Sequence, residues 1–434
     1  MPDRLVITTP WWPSENNPFA GSFVAAQAAA VAPYLDSVDV VHTEDWPTPA
    51  DGLASRLVQR AYERLVAGPS PRVPVAQMSR HEHAGATVWQ VPTPVQPGRD
   101  YAEWARTHVR VVRSVLGAQV ADGSVVHGHT GIYGGWVARE CARADARIVV
   151  TEHATFLPRV LKQLPAREMY RQVIERADAF FVVGSILQRW IAGVFPDLAG
   201  RVRICPNVVP TDRIPLRPEP VTDLRRWIYL GKFAPHKRVD VLLEAFGVIA
   251  LERGDLELTL VGTGPLEDGL RARAAQLGLT DRVRIVPSVP HEEVPALLHA
   301  HDLLVHPSTV ETFGMTTVEA VASGLPVLVT ASGGPDETLA GIEDIAGEIV
   351  PVSEGVVDIV AGYRRLAARL DELDPVAARD AITARYGPDA VAAILLDAYT
   401  GGQADRLLPA PGAPARAALD ADRPVASLTG STWT

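Results

Sequence analysis

Short β-branched runs alternate with longer amphipathic stretches along the whole chain. The runs LVIT (5 to 8), VDVV (38 to 41), VVHGH (125 to 129), RIVVTEH (147 to 153) and AFFVVG (179 to 184) precede a second series: WIYLG, LELTLVG, RVRIV, LLVHP and PVLVT. Between them, FVAAQAAAVAPYL (23 to 35) and VDVLLEAFGVIALER (239 to 253) repeat apolar residues at three and four, the helical period. Strands that are apolar on both faces and alternate with helices predict parallel sheets covered on each side. That α/β layering occurs twice, which predicts two doubly wound domains. In such sheets ligands collect beyond the carboxyl ends of the strands.

Five prolines in PNVVPTDRIPLRPEP (206 to 220) exclude a continuous helix or central strand and mark a linker. The reading is an N-terminal domain over 1–209, a linker over 210–220 and a C-terminal domain over 221–385. A helix over 386–400 follows and crosses back to the first domain, and the Ala-, Pro- and Gly-rich 401–434 forms a disordered tail. Residues 45–80, with prolines around LASRLVQRAYERLV, form an excursion of the first domain.

Composition narrows the function classes. The 434 residues are 47% apolar and 21% charged, ordinary for a globular protein of more than one domain. A net charge of -10 without long single-sign runs argues against a nucleic-acid track. Cys141 and Cys205, with no metal-ligand spacing around them, support neither a disulfide framework nor a zinc site. No apolar run is long enough to span a bilayer, and MPDRLVITTPWWPS lacks a secretory pattern. The expectation is a soluble, cytoplasmic protein.

Candidate chemistry sits at the strand ends. After WIYLG, the stretch GKFAPHKRVD holds Lys232 and Lys237 before a helix starting near Val239, in a chain where lysine is scarce. Two ammonium groups beside a helix start suit a phosphate group, although solvated lysines are the plain reading of the pair alone. After LLVHP, ETFGMTTVE turns at Gly314 and continues as helix, with Glu311 before it and Glu319 on its shoulder. Free amides near Phe313, Gly314, Met315 and Thr316 could take a distal phosphate. Glu319 could accept a ribose diol and Glu311 the hydroxyls of a sugar.

These motifs resemble the retaining GT-B glycosyltransferases of family 4. The family's two glutamates seven residues apart, with Phe-Gly after the first, stand here as Glu311, Phe313, Gly314 and Glu319. EAVASGLPVLVTASGGPDET matches the family's continuation, and Gly231, Lys232 and Lys237 match its basic pair. The resemblance implies an α/β GT-B fold, two Rossmann-like doubly wound parallel-sheet domains facing a cleft. It implies that Lys232 and Lys237 hold a diphosphate, Glu319 the ribose and Glu311 the donor sugar. Gly262 of VGTGPL belongs to a donor-side turn, and Val289 contacts the base through its backbone. In the first domain, His153 of TEHATF matches the active-site histidine and Gly21 the glycine loop facing the phosphates. Two departures stand out: Lys232 where arginine is usual, which turns a fork into a point charge, and Val208 where the hinge usually has glycine.

The implied activity is retaining transfer of a hexose from a nucleotide diphosphate sugar, UDP-linked in preference to GDP-linked, to a hydroxyl acceptor such as a glycan, glycolipid or small natural product. No metal or cofactor is implied; the Asp420 and Asp422 pair falls in the expected tail. Alternatives are an epimerase or hydrolase of sugar nucleotides on the same fold, or a non-catalytic sugar-binding homologue. Acceptor-side candidates are Trp11 and Trp12, which either stack on a ring or pack the domain edge, and His127 and His129, which are equally readable as satisfied histidines. Arg106, Arg110 and Arg113 beside Val109, Val112 and Leu116 could form a basic amphipathic face for peripheral contact with an anionic membrane, as in some relatives, with a solvated helix as the plainer reading.

Overall fold

The structure, a computed structural model, describes residues 4–14, 20–47, 78–95 and 100–402. Most of the excursion at 45–80 and nearly all of 401–434 lie outside the described residues, as do Asp420 and Asp422.

Eight strands form the first sheet: β1 (Arg4–Thr9), β2 (Ser37–Pro47), β3 (Ser79–His83), β4 (Ala86–Val95), β5 (Val125–His129), β6 (Arg147–Glu152), β7 (Ala179–Val182) and β8 (Val202–Ile204). Their order is β3-β4-β2-β1-β5-β6-β7-β8, parallel except for the antiparallel β3–β4 pair. The second sheet holds β9 (Arg226–Leu230), β10 (Glu257–Val261), β11 (Val283–Val286), β12 (Leu303–His306), β13 (Val327–Thr330) and β14 (Gly347–Val350), all parallel. Its order, β11-β10-β9-β12-β13-β14, reverses direction between β9 and β12. Loops leaving those two strands therefore diverge to opposite faces and open a crevice between them. Lys232 and Lys237 follow β9 and Glu311 follows β12, so the topology itself delivers these charges to one crevice. In the first sheet the equivalent divergence lies between β1 and β5. The loop to Gly21 leaves β1, and His129 ends β5.

The central strands are buried on both faces. Trp227, Ile228 and Tyr229 of β9 and Leu303 and Leu304 of β12 are all fully buried, as their apolar runs require. Helix Pro375–Tyr386 packs on helix Met315–Ala322, and the chain then returns through Gly387 to helix Pro388–Thr400. That last helix lies against helix Ser22–Val31 and buries Val391, Leu395, Leu396 and Tyr399 with the first sheet's Leu5, Ile7 and Val40. At the hinge, the Val209 N–H donates to the Tyr386 carbonyl at 2.8 Å, and Val208 is buried in the same cluster.

Among the described residues no helix is long and apolar enough to cross a membrane. Helix Tyr101–Val115 takes the other of the two readings, a helix with a solvated outer face: Val109 and Val112, with Leu116 just beyond, are buried in the core. Arg106, Arg110 and Arg113 on its outer side bond Glu103, Thr107 and Glu140. Its apolar stripe is spent on the sheet, so nothing is left to enter a bilayer.

Candidate functional site

A cavity of about 430 Å³ lies where the two sheets' carboxyl ends face each other. From the first domain it is lined by Trp11, Gly21, Phe23, His153, Phe156 and Asn207. From the second it is lined by Lys237, His306 and Glu311 and by the turn from Phe313 to Thr317. Five separate segments of the sequence thus converge on one space.

The second domain supplies the charges. Helix Met315–Ala322 begins at Gly314, which holds φ +85 as the residue before the first turn, a conformation that glycine adopts without strain. The Gly314 carbonyl accepts from the Thr317 and Val318 amides, while the Met315 and Thr316 amides open the helix without an intrahelical acceptor. The Thr317 hydroxyl is buried with no partner and lines the same cavity. Just upstream, the Lys237 ammonium donates to Glu311 Oε1 at 2.6 Å, with the carboxylate only 8% exposed. Burial pushes the Glu311 pKa up, but Lys237, His306 and a Ser308 hydrogen bond outweigh it and bring it down to about 2. His306 Nδ1 lies 3.4 Å from the same oxygen and is neutral, its pKa lowered to about 4 chiefly by burial. Glu311 is therefore an anion held in place, and Lys237 is the cation that holds it.

Glu319 is also buried, and its Oε1 meets His291 Nε2 at 2.9 Å. Its hydrogen bond to Glu319 is the main cause that raises the His291 pKa. Further along that side, a second cavity of about 540 Å³ opens between helix Ser22–Val31, the hinge and His291.

The first domain supplies a rigid floor. His153 Nδ1 lies 3.0 Å from Asn207 Oδ1, and its Nε2 lies 2.9 Å from His129 Nδ1. Burial lowers the pKa of His153 to about 3, so the ring is neutral. Behind it, Glu152 accepts four donors: the amides of His153 (2.9 Å), Ala154 (2.8 Å) and Gly131 (2.9 Å), and the Tyr170 hydroxyl (3.0 Å). The Gly131 amide reaches inward because Thr130 adopts φ +64, and a side chain on Gly131 would strike the Tyr170 ring. One buried carboxylate thereby ties the loop after β5 to the loop after β6.

The lobes touch at this floor. Thr312 Oγ1 donates to the His153 carbonyl at 3.0 Å, and Glu337 accepts from the Ser185 amide at 2.7 Å, capping helix Ser185–Val194 across the cleft. Gly184 lets the backbones meet, since a Cβ there would collide with the Thr312 carbonyl oxygen.

Of the residues singled out from the sequence, the cavity collects Trp11, Gly21, His153, Lys237, Glu311, Phe313, Gly314, Met315 and Thr316. Lys232 lies outside this lining and is exposed, Val289 is half-buried against the core, and Gly262 is buried behind Gly231. Three acceptor-side candidates take the packing alternative that the sequence left open. Trp12 is fully buried against the core and His83, which leaves no face to stack on. His127 is fully buried and bonded to Tyr399 (2.7 Å) and Thr151 (2.8 Å), a satisfied core histidine. His129 is equally buried and spends its Nδ1 on His153. Glu152, Asn207, His291, His306 and Thr312 were missed. Only Glu152 carried a signal, as an acid inside an otherwise apolar strand.

Comparison with known proteins gives two family matches: one described as Glycosyl transferases group 1, over residues 215–365, and one described as Glycosyltransferase Family 4, over residues 48–213. The chain is 33% identical over 191 residues to a D-inositol 3-phosphate glycosyltransferase of Thermobispora bispora, covering 41% of this chain and 43% of that one. It is 28% identical over 263 residues to a GDP-mannose-dependent alpha-(1-6)-phosphatidylinositol monomannoside mannosyltransferase of Mycobacterium tuberculosis, covering 56% and 66%. The matched stretches thus span less than two thirds of either relative. In three dimensions it is similar to sucrose-phosphate synthase from Thermosynechococcus elongatus, with a TM-score of 0.68 over 92% of this chain and 98% of that one at 18% identity, a likeness of fold.

Proposed function

Since the chain belongs to the group 1, family 4 glycosyltransferases and has their GT-B fold, we propose that it moves a hexose from a nucleotide diphosphate sugar to an acceptor hydroxyl with retention at the anomeric carbon. The observation that carries this reading is the convergence of Lys237, Glu311 and the helix start at Gly314 on one cavity, opposite His153 and Gly21.

The leaving diphosphate sits against the amides of Met315 and Thr316 with Lys237 beside it, and Lys232 lies on the same loop. Charge growing on the diphosphate as the glycosidic bond breaks is met by groups already in place, which lowers the barrier without reorganisation. Glu311 accepts hydroxyls of the sugar. Its hold on Lys237 keeps that ammonium extended into the crevice before the donor arrives. Glu319 reads the ribose with the carboxylate oxygen that His291 leaves open, and the base lies toward Val289 and the cavity beside His291. His153 enters as a neutral ring whose nitrogens are both engaged, by Asn207 and His129, so it offers a ring surface rather than a proton. The acceptor hydroxyl attacks the face that the diphosphate leaves, and the diphosphate oxygen takes its proton.

The donor base is read as uridine or guanosine; the Mycobacterium tuberculosis relative's name specifies GDP-mannose. Both cysteines are free, which supports a reducing, cytoplasmic setting. The test is a thermal-shift series with UDP, GDP and their sugars. A ligand present at a hundred times its dissociation constant stabilises the folded form by about 2.7 kcal/mol. The reading predicts such a shift for one base; no shift with any nucleotide diphosphate at millimolar concentration contradicts it.

A further inference from the structure

Five rings run in contact along the first domain's side of the cleft, starting at the proposed reacting centre. Phe23 tilts over His153 with centroids 4.6 Å apart. Trp11 meets Phe23 edge-on at 6.0 Å and Phe156 edge-on at 6.0 Å. Phe156 stacks on Tyr101 at 5.6 Å and 3°, and Tyr101 meets Trp104 edge-on at 5.6 Å. These residues come from three distant segments, and every one is only half-buried. Trp12, next in sequence to Trp11, is fully buried and fills the core on its own. Core packing accounts for the whole of Trp12, whereas Phe23, Phe156, Tyr101 and Trp104 each pack one side on the core and stay partly exposed on the other, in a row leading outward from the cavity.

The charges are distributed just as unevenly. Among the described residues lining the cavity, the acid and the lysine, Glu311 and Lys237, both belong to the second domain, and the first domain contributes no charged side chain. Arg159, one turn beyond Phe156, is exposed and bears electrostatically on His236, toward the proposed diphosphate side.

We propose that this aromatic row is the acceptor platform and that the acceptor is an uncharged, ring-bearing hydroxyl compound, a glycoside or short glycan, whose apolar ring faces lie on Trp11, Phe156 and Tyr101. The proposal rests on the reading of the cavity as the donor site. Pyranose and aryl rings present flat C–H or π surfaces that aromatic side chains bind without any charge partner. Among the described residues the row itself carries no cation, and Arg159, the exposed charge one turn from Phe156, bears on His236 rather than on a ring of the row.

The test uses the full chain with the nucleotide diphosphate that stabilises it. Binding is measured by saturation-transfer NMR and calorimetry for p-nitrophenyl β-D-glucopyranoside and maltotriose, against myo-inositol 1-phosphate as the charged probe. The neutral probes bind, the charged one binds at least about tenfold more weakly, and Trp11→Ala and Tyr101→Ala each weaken neutral-probe binding by about tenfold. Tyr101→Ala, at the outer end of the row, keeps the test open if Trp11→Ala fails to fold. Preference for the charged probe, wild-type binding in a folded Tyr101→Ala, or no neutral binding with nucleotide bound overturns the proposal alone. Failure of every nucleotide to bind overturns the donor reading and this one with it.

Discussion

Replacing Lys237 with methionine removes the one ammonium paired with Glu311 and leaves a carboxylate that is 8% exposed without its main counter-charge. Two routes give the size of the effect. Breaking a buried pair by removing one partner costs about 3–5 kcal/mol. Independently, lowering the Glu311 pKa from 4.5 to about 2 corresponds to roughly 3 kcal/mol of native-state stability. Because the folded pKa lies below the unfolded one, that stability is present above pH 4.5 and is lost as pH falls toward 2. In Lys237→Met, burial dominates and raises the Glu311 pKa, so the variant's deficit is largest at neutral pH and shrinks in acid. Urea unfolding followed by tryptophan fluorescence at pH 7 and pH 4 reads this directly. Lys237→Met should lose about 3 kcal/mol at pH 7 and distinctly less at pH 4. The double variant Lys237→Met/Glu311→Gln, which removes both charges, should recover most of the loss. A single variant as stable as wild type at pH 7, or a double variant no better than the single, refutes the reasoning.

His291 should give the opposite pH sign: its pKa is raised by Glu319, so its stabilisation is complete below the ordinary imidazole value of 6.5 and disappears as pH rises through the elevated one. The midpoint difference between wild type and His291→Gln should therefore be larger at pH 6 than at pH 9, and an equal difference at both argues against the pair. Glu152→Gln turns an amide N–H₂ toward donors that the carboxylate accepted, so it should cost about 1–3 kcal/mol and lower kcat more than it raises the donor KM; unchanged stability and kcat would remove its positioning role. Trp12→Ala should destabilise by about 3–5 kcal/mol as a core truncation, measured by denaturation; a variant of wild-type stability with a raised acceptor KM would restore it to the acceptor side.

Periodicity exposed the two doubly wound sheets because buried parallel strands read as continuous apolar runs. β4 escaped notice because Pro92 and Pro94 argue against a strand with neighbours on both sides. Among the described residues β3 pairs with β4 only as far as Gln90, so Pro92 and Pro94 lie beyond that pairing and remove no N–H from it. Glu311, Gly314 and Lys237 were legible because local features mark them: an acid before a glycine turn, and lysines before a helix. The pairs His291–Glu319, His153–Asn207 and Glu152–Gly131 were not, since each joins loops whose meeting depends on strand order rather than on neighbouring residues. Trp11 and Trp12 show the same limit at the smallest scale. The sequence marks two adjacent indoles at a strand end, and only the path of the loop decides which one turns inward.

The most direct test is calorimetric titration of the stabilising nucleotide sugar into wild type and into Lys237→Met/Glu311→Gln, whose folding is verified by its unfolding transition. Saturable binding to wild type and a loss of at least about a hundredfold in the double variant is the predicted result, since both the diphosphate's cation and the sugar's acceptor are gone. Equal affinity in the two proteins would contradict the assignment of the donor to this cavity.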